Sequence, residues 1–178
     1  MYTGKLVRLR AYRNEDAERA WQFITDPEIK TYLTTRVPFP ETFEDERKWV
    51  ERQTAYRDDS TYNFAIETLE DSLYIGSCGI NELNWSSSFA VVGIMIGDRD
   101  YWDRGYGGDA MHVLIRFCFE QMNLNKVSLN VYSLNPRAIR CYEKLGFKKE
   151  GVLRQELYRN GAYHDVIHMG LLRDEWQP

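Results

Sequence analysis

The 178-residue sequence predicts a mixed α+β fold, a seven-stranded sheet flanked by helices. Three observations predict it. Three strand-like runs follow one another in the middle of the chain, at Tyr62–Thr68, Tyr74–Leu83 and Phe89–Ile96, separated by turn residues. A glycine-rich turn and an amphipathic helix then interrupt them. The chain closes on two more strand runs joined by Asn160-Gly161, a strong hairpin signal.

The elements follow in order. Lys5-Leu6-Val7-Arg8-Leu9-Arg10 alternates polar and apolar residues, as a half-buried strand does. Asn14 is the expected cap of a helix carrying Ala17, Ala20, Trp21 and Ile24 at helical spacing and stopping before Pro27. Pro27 opens a short helix through Leu33. Thr42 and Asp45 mark the start of another, amphipathic around Phe43, Trp49 and Val50 and charged through Arg57. Glu70-Asp71-Ser72 and Ser86-Ser87-Ser88 connect the three central strands. Gly105–Met122 reads as a helix with Ala110, Met111, Leu114, Phe117, Cys118 and Met122 on one side, and Lys126–Tyr132 as a strand. Asn135 caps the next helix, with Pro136 in its favoured first position and Gly146 ending it. The closing strands run roughly over Phe147–Tyr158 and Tyr163–Leu172. No repeat, linker or low-complexity tract divides the chain, so residues 1–178 are read as one domain.

Composition narrows the function. Hydrophobic residues at 43% and charged residues at 28% are ordinary globular values. A net charge of −4 argues against a nucleic-acid binder and is compatible with a cationic amine as substrate. Cys78, Cys118 and Cys141 are an odd, scattered set, read as reduced thiols. Neither they nor His112, His164 and His168 have metal-ligand spacing, so no metal is expected. With no signal-peptide pattern and no apolar run long enough to span a bilayer, the expected compartment is the cytoplasm and no membrane partner is expected.

The glycine-rich turn is Trp102-Asp103-Arg104-Gly105-Tyr106-Gly107-Gly108-Asp109-Ala110. A strand, a glycine cluster and a helix in succession build an anion site: backbone N–H groups point out of the helix start, and the dipole adds positive charge. The same glycines also serve a plain tight connection. A P-loop needs Gly-Lys-Ser/Thr, and Gly108-Asp109-Ala110 fails it. Gly105-Tyr106-Gly107-Gly108-Asp109-Ala110 matches a dinucleotide fingerprint on paper. The next strand, however, ends Val131-Tyr132-Ser133-Leu134 without the carboxylate that would hold a ribose, which disfavours a nucleotide-binding oxidoreductase.

The second motif is Asn135-Pro136-Arg137-Ala138-Ile139-Arg140-Cys141-Tyr142-Glu143-Lys144-Leu145-Gly146-Phe147. Asn135 and Tyr142 stand about two helical turns apart and face nearly the same way. Together with the glycine turn, this segment resembles the GCN5-related N-acetyltransferases (GNAT family). The flanks, including Asn160-Gly161-x-Tyr163-x-Asp165, resemble the RimJ/RimL-type branch of ribosomal-protein and spermidine acetyltransferases.

The resemblance implies acetyl-CoA as co-substrate and direct attack by a primary amine, either a protein N-terminus or a small molecule such as a polyamine. Residues Arg104, Gly105, Tyr106, Gly107, Gly108 and Asp109, with Asn135 and Arg137, are the expected cofactor-binding set, joined by the backbone of Ile94, Met95 and Ile96 where the fourth and fifth strands splay. Tyr142 is the expected general acid. Where many relatives carry a glutamate base on the fourth strand, this chain has Val91, which leaves Glu82 or water for that role. Cys141 is expected to point into the core, and Trp21, Tyr32 and Phe39 to form the acceptor wall. The alternative is a non-catalytic acyl-CoA-binding or sensing domain. The resemblance is compatible with a monomer or a homodimer.

Overall fold

A computed structural model describes residues 1–33, 37–55 and 62–177. One sheet of seven strands runs through it: β1 (Val7–Arg10), β2 (Tyr62–Thr68), β3 (Tyr74–Asn84), β4 (Phe89–Ile96), β5 (Lys126–Tyr132), β6 (Lys148–Arg159) and β7 (Ala162–Leu172). Their spatial order is β1-β2-β3-β4-β5-β7-β6. Every neighbouring pair is antiparallel except β4 and β5. The helices are α1 (Asp16–Thr25), α2 (Pro27–Leu33), α3 (Phe43–Ala55), α4 (Tyr106–Arg116) and α5 (Pro136–Lys144). A π-helical turn, Phe117–Gln121, prolongs α4.

The period-two pattern of the strands produces two cores. Ala65 and Ile66 are adjacent on β2 and face opposite sides of the sheet. Ile66 joins Ile80, Val92 and Leu129 beneath Ala110, Met111 and Leu114 of α4. Ala65 joins Tyr12, which lies between β1 and α1, and Ala17, Ala20, Phe23 and Val50, inward residues of α1 and α3.

Local chemistry accounts for most helix ends. Thr42 Oγ1 accepts from the Asp45 N–H at 3.2 Å and starts α3. The charged stretch expected through Arg57 is helical to Ala55, and its remainder lies outside the described residues. Asn135 Oδ1 accepts from the Ala138 N–H at 3.1 Å and starts α5. Asn14 does not cap α1 through its side chain: Glu15 occupies the cap position, and Asn14 Oδ1 instead takes the Thr54 hydroxyl at 3.3 Å, tying α1 to α3.

The N-terminal segment is fastened at two places. The Asp109 carboxylate, in the first turn of α4, accepts from the N–H groups of Lys5, Leu6 and Val7 at 2.9, 2.8 and 3.0 Å. On β2, Glu67 is fully buried and is met by Arg8 and Arg10, with Arg13 at 3.3 Å. Arg10 also forms a two-pronged pair with Asp16 at 2.8 Å on each prong. Burial by itself would raise the Glu67 carboxyl, but the hydrogen bonds from Arg10 and Arg8 outweigh it and hold it below the usual range.

That ordering sets the pH response. A carboxyl lowered in the folded state contributes stability above its unfolded value and loses it as pH falls through the folded one. Glu67→Gln should therefore lower stability at pH 7 by about 3 kcal/mol, as expected when one partner of a buried pair is removed. It should also flatten the loss of stability below about pH 4. Urea melts at pH 3.5 and pH 7 check both.

Candidate active site

The feature that positions the site is a parting of strands. β4 pairs with β3 along its length, from Asn84↔Phe89 to Gly76↔Ile96. With β5 it pairs at only three positions, Phe89↔Lys126, Ala90↔Val127 and Val91↔Ser128. Beyond Val91 the two strands diverge, and a cleft of about 750 Å³ opens between them. Val92 to Ile96 line one wall, and Asn130, Val131 and Tyr132 of β5, followed by α5, line the other. The floor is kept low by Gly79 and Gly93, which pair across β3 and β4. A Cβ on Gly93 would stand 2.7 Å from Asn81 Nδ2, so a side chain there would push the Asn81 amide aside. Asn81 itself is the extra residue of a bulge between Ile80 and Glu82.

At one mouth lies the glycine turn. Gly105 precedes α4 in the left-handed region at φ 89°, which glycine adopts without strain. The first helical bond, from the Asp109 N–H to the Gly105 carbonyl, is 2.9 Å, so the N–H groups of Tyr106, Gly107 and Gly108 come before the ladder and have no helical acceptor. Gly105, Gly107 and Gly108 line the cleft. Opposite them, the Arg137 guanidinium sits 3.6 Å from the centre of the Trp102 ring, and Trp102 Nε1 is anchored on the Ile96 carbonyl at 2.7 Å.

On α5, Asn135 and Tyr142 both line the cleft, as their spacing predicts. Tyr142 is 8% exposed and packs edge-on against Phe147 at 6.0 Å. Its hydroxyl has no hydrogen-bond partner among the described residues. Burial, helped by the neighbouring Cys141, pushes its pKa well above the ordinary tyrosine value, so it stays protonated across the physiological range.

The residues expected at the site divide. The structure brings together Ile94, Met95, Ile96, Gly105, Gly107, Gly108, Asn135, Arg137 and Tyr142. Asp109 is turned away, spent on the N-terminal strand. Tyr106 is buried against Tyr101, with ring centres 4.8 Å apart, and Arg104 lies over both rings and donates to the Asp100 carbonyl at 3.0 Å. Glu82 is exposed on β3 opposite Val91 and is not among the lining residues. Of the expected acceptor wall, Tyr32 lines the cleft. Trp21 instead donates to the Glu41 carbonyl at 3.0 Å, and Phe39 is exposed. Cys141 does not point into the core: it lines the cleft beside Gly108, its Sγ 3.6 Å from where a Cβ on that glycine would stand. Tyr12, Trp49, Asn63 and Ser77 also line it, a set drawn from distant parts of the chain that no local motif announces.

Residues 7–148 match the Acetyltransferase (GNAT) domain. The chain belongs to the GNAT acetyltransferase family. This N-acetyltransferase is 30% identical over 176 residues to an uncharacterized N-acetyltransferase, p20, of Bacillus licheniformis, covering 99% of this chain and 97% of that one. It is 30% identical over 109 residues to a putative ribosomal N-acetyltransferase of Bacillus subtilis, covering 61% of this chain and 59% of the relative. A spermidine N-acetyltransferase from Vibrio cholerae, solved with CoA and spermine, superposes with a TM-score of 0.83 at 26% identity, covering 95% of this chain and 96% of that one. GNAT enzymes use acetyl-CoA. No helix among the described residues is long and apolar enough to cross a membrane.

Burial raises the pKa of the Cys141 thiol, with Lys144 opposing it, which keeps little of it as thiolate at neutral pH. Its alkylation by iodoacetamide at pH 7.5 should be slower than that of a free thiol, and that of the more deeply buried Cys78 and Cys118 slower still. Mass spectrometry of timed samples measures this.

Proposed function

We propose that this acetyltransferase moves acetyl from acetyl-CoA directly to a primary amine, in the manner of the RimJ/RimL-type branch that acts on protein N-termini and polyamines. One arrangement carries the reading: a stretch of β4 edge unpaired with β5 shares a single cleft with a tyrosine hydroxyl that has no partner among the described residues, with a glycine-lined helix start at its mouth.

The residues fit the co-substrate end to end. The N–H groups of Gly107 and Gly108, with Arg137, suit a pyrophosphate. The side-chain amide of Asn135 has N–H groups left to donate after its oxygen has capped α5. The β4 edge beyond Val91 offers backbone donors and acceptors to an extended arm carrying amides of its own.

Acetyl-CoA supplies the activated thioester. The protein aligns the amine nitrogen with the thioester carbonyl, so that a C–N bond forms as the C–S bond breaks. Tyr142, kept protonated by burial, hands its proton to the departing sulfur. Val91 supplies no carboxylate at the opening and Glu82 stands off the wall, so water removes the proton of the incoming ammonium.

Two outcomes test these roles. Tyr142→Phe should lower kcat about 10²-fold or more while CoA affinity stays within twofold, as loss of a positioned acid predicts. In the wild type, kcat should show no downturn near pH 10, because burial holds the Tyr142 hydroxyl above that range. Release of free thiol from acetyl-CoA with an amine panel measures both. Arg137→Ala should weaken CoA binding about tenfold, the worth of one charge-assisted hydrogen bond. It should leave pantetheine, which lacks the phosphates, unaffected by titration calorimetry.

A further inference from the structure

The two faces of the sheet carry different groups at the parting of β4 and β5. Phe64 of β2 packs toward the core beneath α4, so Asn63 and Ala65, on either side of it, face α1 and α3. Asn63 stands opposite Gly79 of β3, and Gly79 opposite Gly93 of β4, two residues past the last pair with β5. The paired glycines leave a bare floor on this face, and two carboxamides lie on it. Asn63 Oδ1 occupies the place of a Cβ on Gly79, and Asn81 Nδ2 comes within 2.7 Å of that on Gly93. All four residues line the cleft.

Packing explains only part of this. Asn63 Nδ2 donates to Gln53 Oε1 of α3 at 3.0 Å, which fixes the amide plane and turns Oδ1 over the floor. Oδ1 itself accepts no hydrogen bond among the described residues, and the Asn81 carboxamide makes none with them. Asn81 is the extra residue of the β3 bulge, a device by which a strand re-aims a side chain. Its amide therefore keeps its full hydrogen-bonding capacity for what enters the cleft. Half a turn about its last bond presents oxygen in place of nitrogen over Gly93.

The spacing suits one small group. Neighbouring strands stand about 4.8 Å apart, so the two floor positions are separated by about that distance. One nitrogen donating to two oxygens at about 2.9 Å, across a tetrahedral H–N–H angle, needs them about 4.7 Å apart. An –NH2 group therefore fits between the two carboxamides with its lone pair left free. Their neutrality suits the same group. A carboxylate in either place would favour the ammonium, whose nitrogen has no lone pair to attack with. A carboxamide oxygen accepts an N–H without a net charge, and removal from water favours the neutral amine. The titratable side chains brought to the cleft by the segment before α1 and by α2, Tyr12 and Tyr32, are phenols, and Glu82, next along β3, stays off its wall.

We propose that Asn63 and Asn81 hold the nucleophilic nitrogen, accepting its two N–H bonds over Gly79 and Gly93 and thereby selecting an uncharged primary amine. The proposal rests on the amine-acetylating reading above, and adds to it the residues that hold the acceptor and the protonation state in which it is taken. Tyr142 belongs to the core on the α4 side, so nucleophile and departing sulfur stand on opposite faces of the sheet, with the parted β4 edge between them. The C–N bond forms as the C–S bond breaks, and the sulfur takes the Tyr142 proton. The proton released by the nitrogen passes to water, which returns one to Tyr142.

The test compares two primary amines with their N-methyl derivatives, glycinamide with sarcosinamide and butylamine with N-methylbutylamine. Thiol release from acetyl-CoA is followed from pH 6 to pH 9. In the wild type, kcat/KM should rise to the acceptor's own pKa, levelling near pH 8 for the α-amine of glycinamide and still climbing at pH 9 for butylamine. Asn81→Ala should lower kcat/KM for the primary amines about three- to tenfold, the worth of one hydrogen bond, and leave the N-methyl partners and CoA affinity within twofold. The preference for primary over N-methyl amines should shrink by the same factor. Asn63→Ala, and Asn81→Ser should the alanine variant not fold, are expected to act in the same direction. A structural role for Asn81 predicts no loss, and a general disturbance of the cleft predicts equal losses for both kinds of amine; either result overturns the proposal. So does a plateau reached below the acceptor's pKa, because a protein group would then be taking the proton of a bound ammonium. If the wild type releases thiol with no amine at all, the acetyl-transfer reading itself fails. If it does so and Asn81→Ala matches it on every amine, only the role of the two carboxamides fails.

Discussion

The parting of β4 from β5 after three paired residues is the constraint on which the rest of the molecule depends. A buried backbone group left without a partner costs about 1–3 kcal/mol, so an open strand edge persists only where other elements hold it open. Here β4 is pinned on its far side by β3, and β5 by seven residues of β7. Neither strand can swing across to close the gap without breaking a ladder already made. The cleft is built into the sheet, and the groups along the β4 edge stand ready for a ligand rather than being exposed by one.

Its walls are stiffened from the far end of the chain. Asp109 draws three N–H groups of the N-terminal segment onto the start of α4, fixing the turn that carries Gly105, Gly107 and Gly108. Glu67 and Asp16 gather Arg8, Arg10 and Arg13, which fixes β1 and the start of α1 against β2. Tyr12 lies between Arg10 and Arg13 in the chain, so the same network places its ring against Trp49. Two charge clusters outside the cleft thus set the position of residues on both of its sides.

What was legible in the sequence is what local rules govern. The strand runs, the Pro136 helix with its Asn135 cap and the hairpin at Asn160-Gly161 all stand where alternation, capping and turn chemistry put them. Asn135 and Tyr142 share the cleft because a helix brings residues seven apart to one face. What was not legible is nonlocal. Asp109, Arg104 and Tyr106 occupy the glycine turn, but their side chains are claimed by the N-terminal strand and by Tyr101, partners no spacing rule reveals. Asn14 was available as a cap and was taken by Thr54, forty residues away. Tyr12 and Trp49 meet only when α3 is laid against the sheet, so neither has a motif.

Val91 poses the remaining chemical question, because an alkyl ammonium with a pKa near 10 presents only about one neutral molecule in a thousand at pH 7. A base at the strand opening would deprotonate it in place, and Val91 cannot. The small neutral fraction is renewed by proton exchange with bulk water before the amine binds, so an acceptor taken up as the free base arrives ready to attack and needs no carboxylate beside Val91.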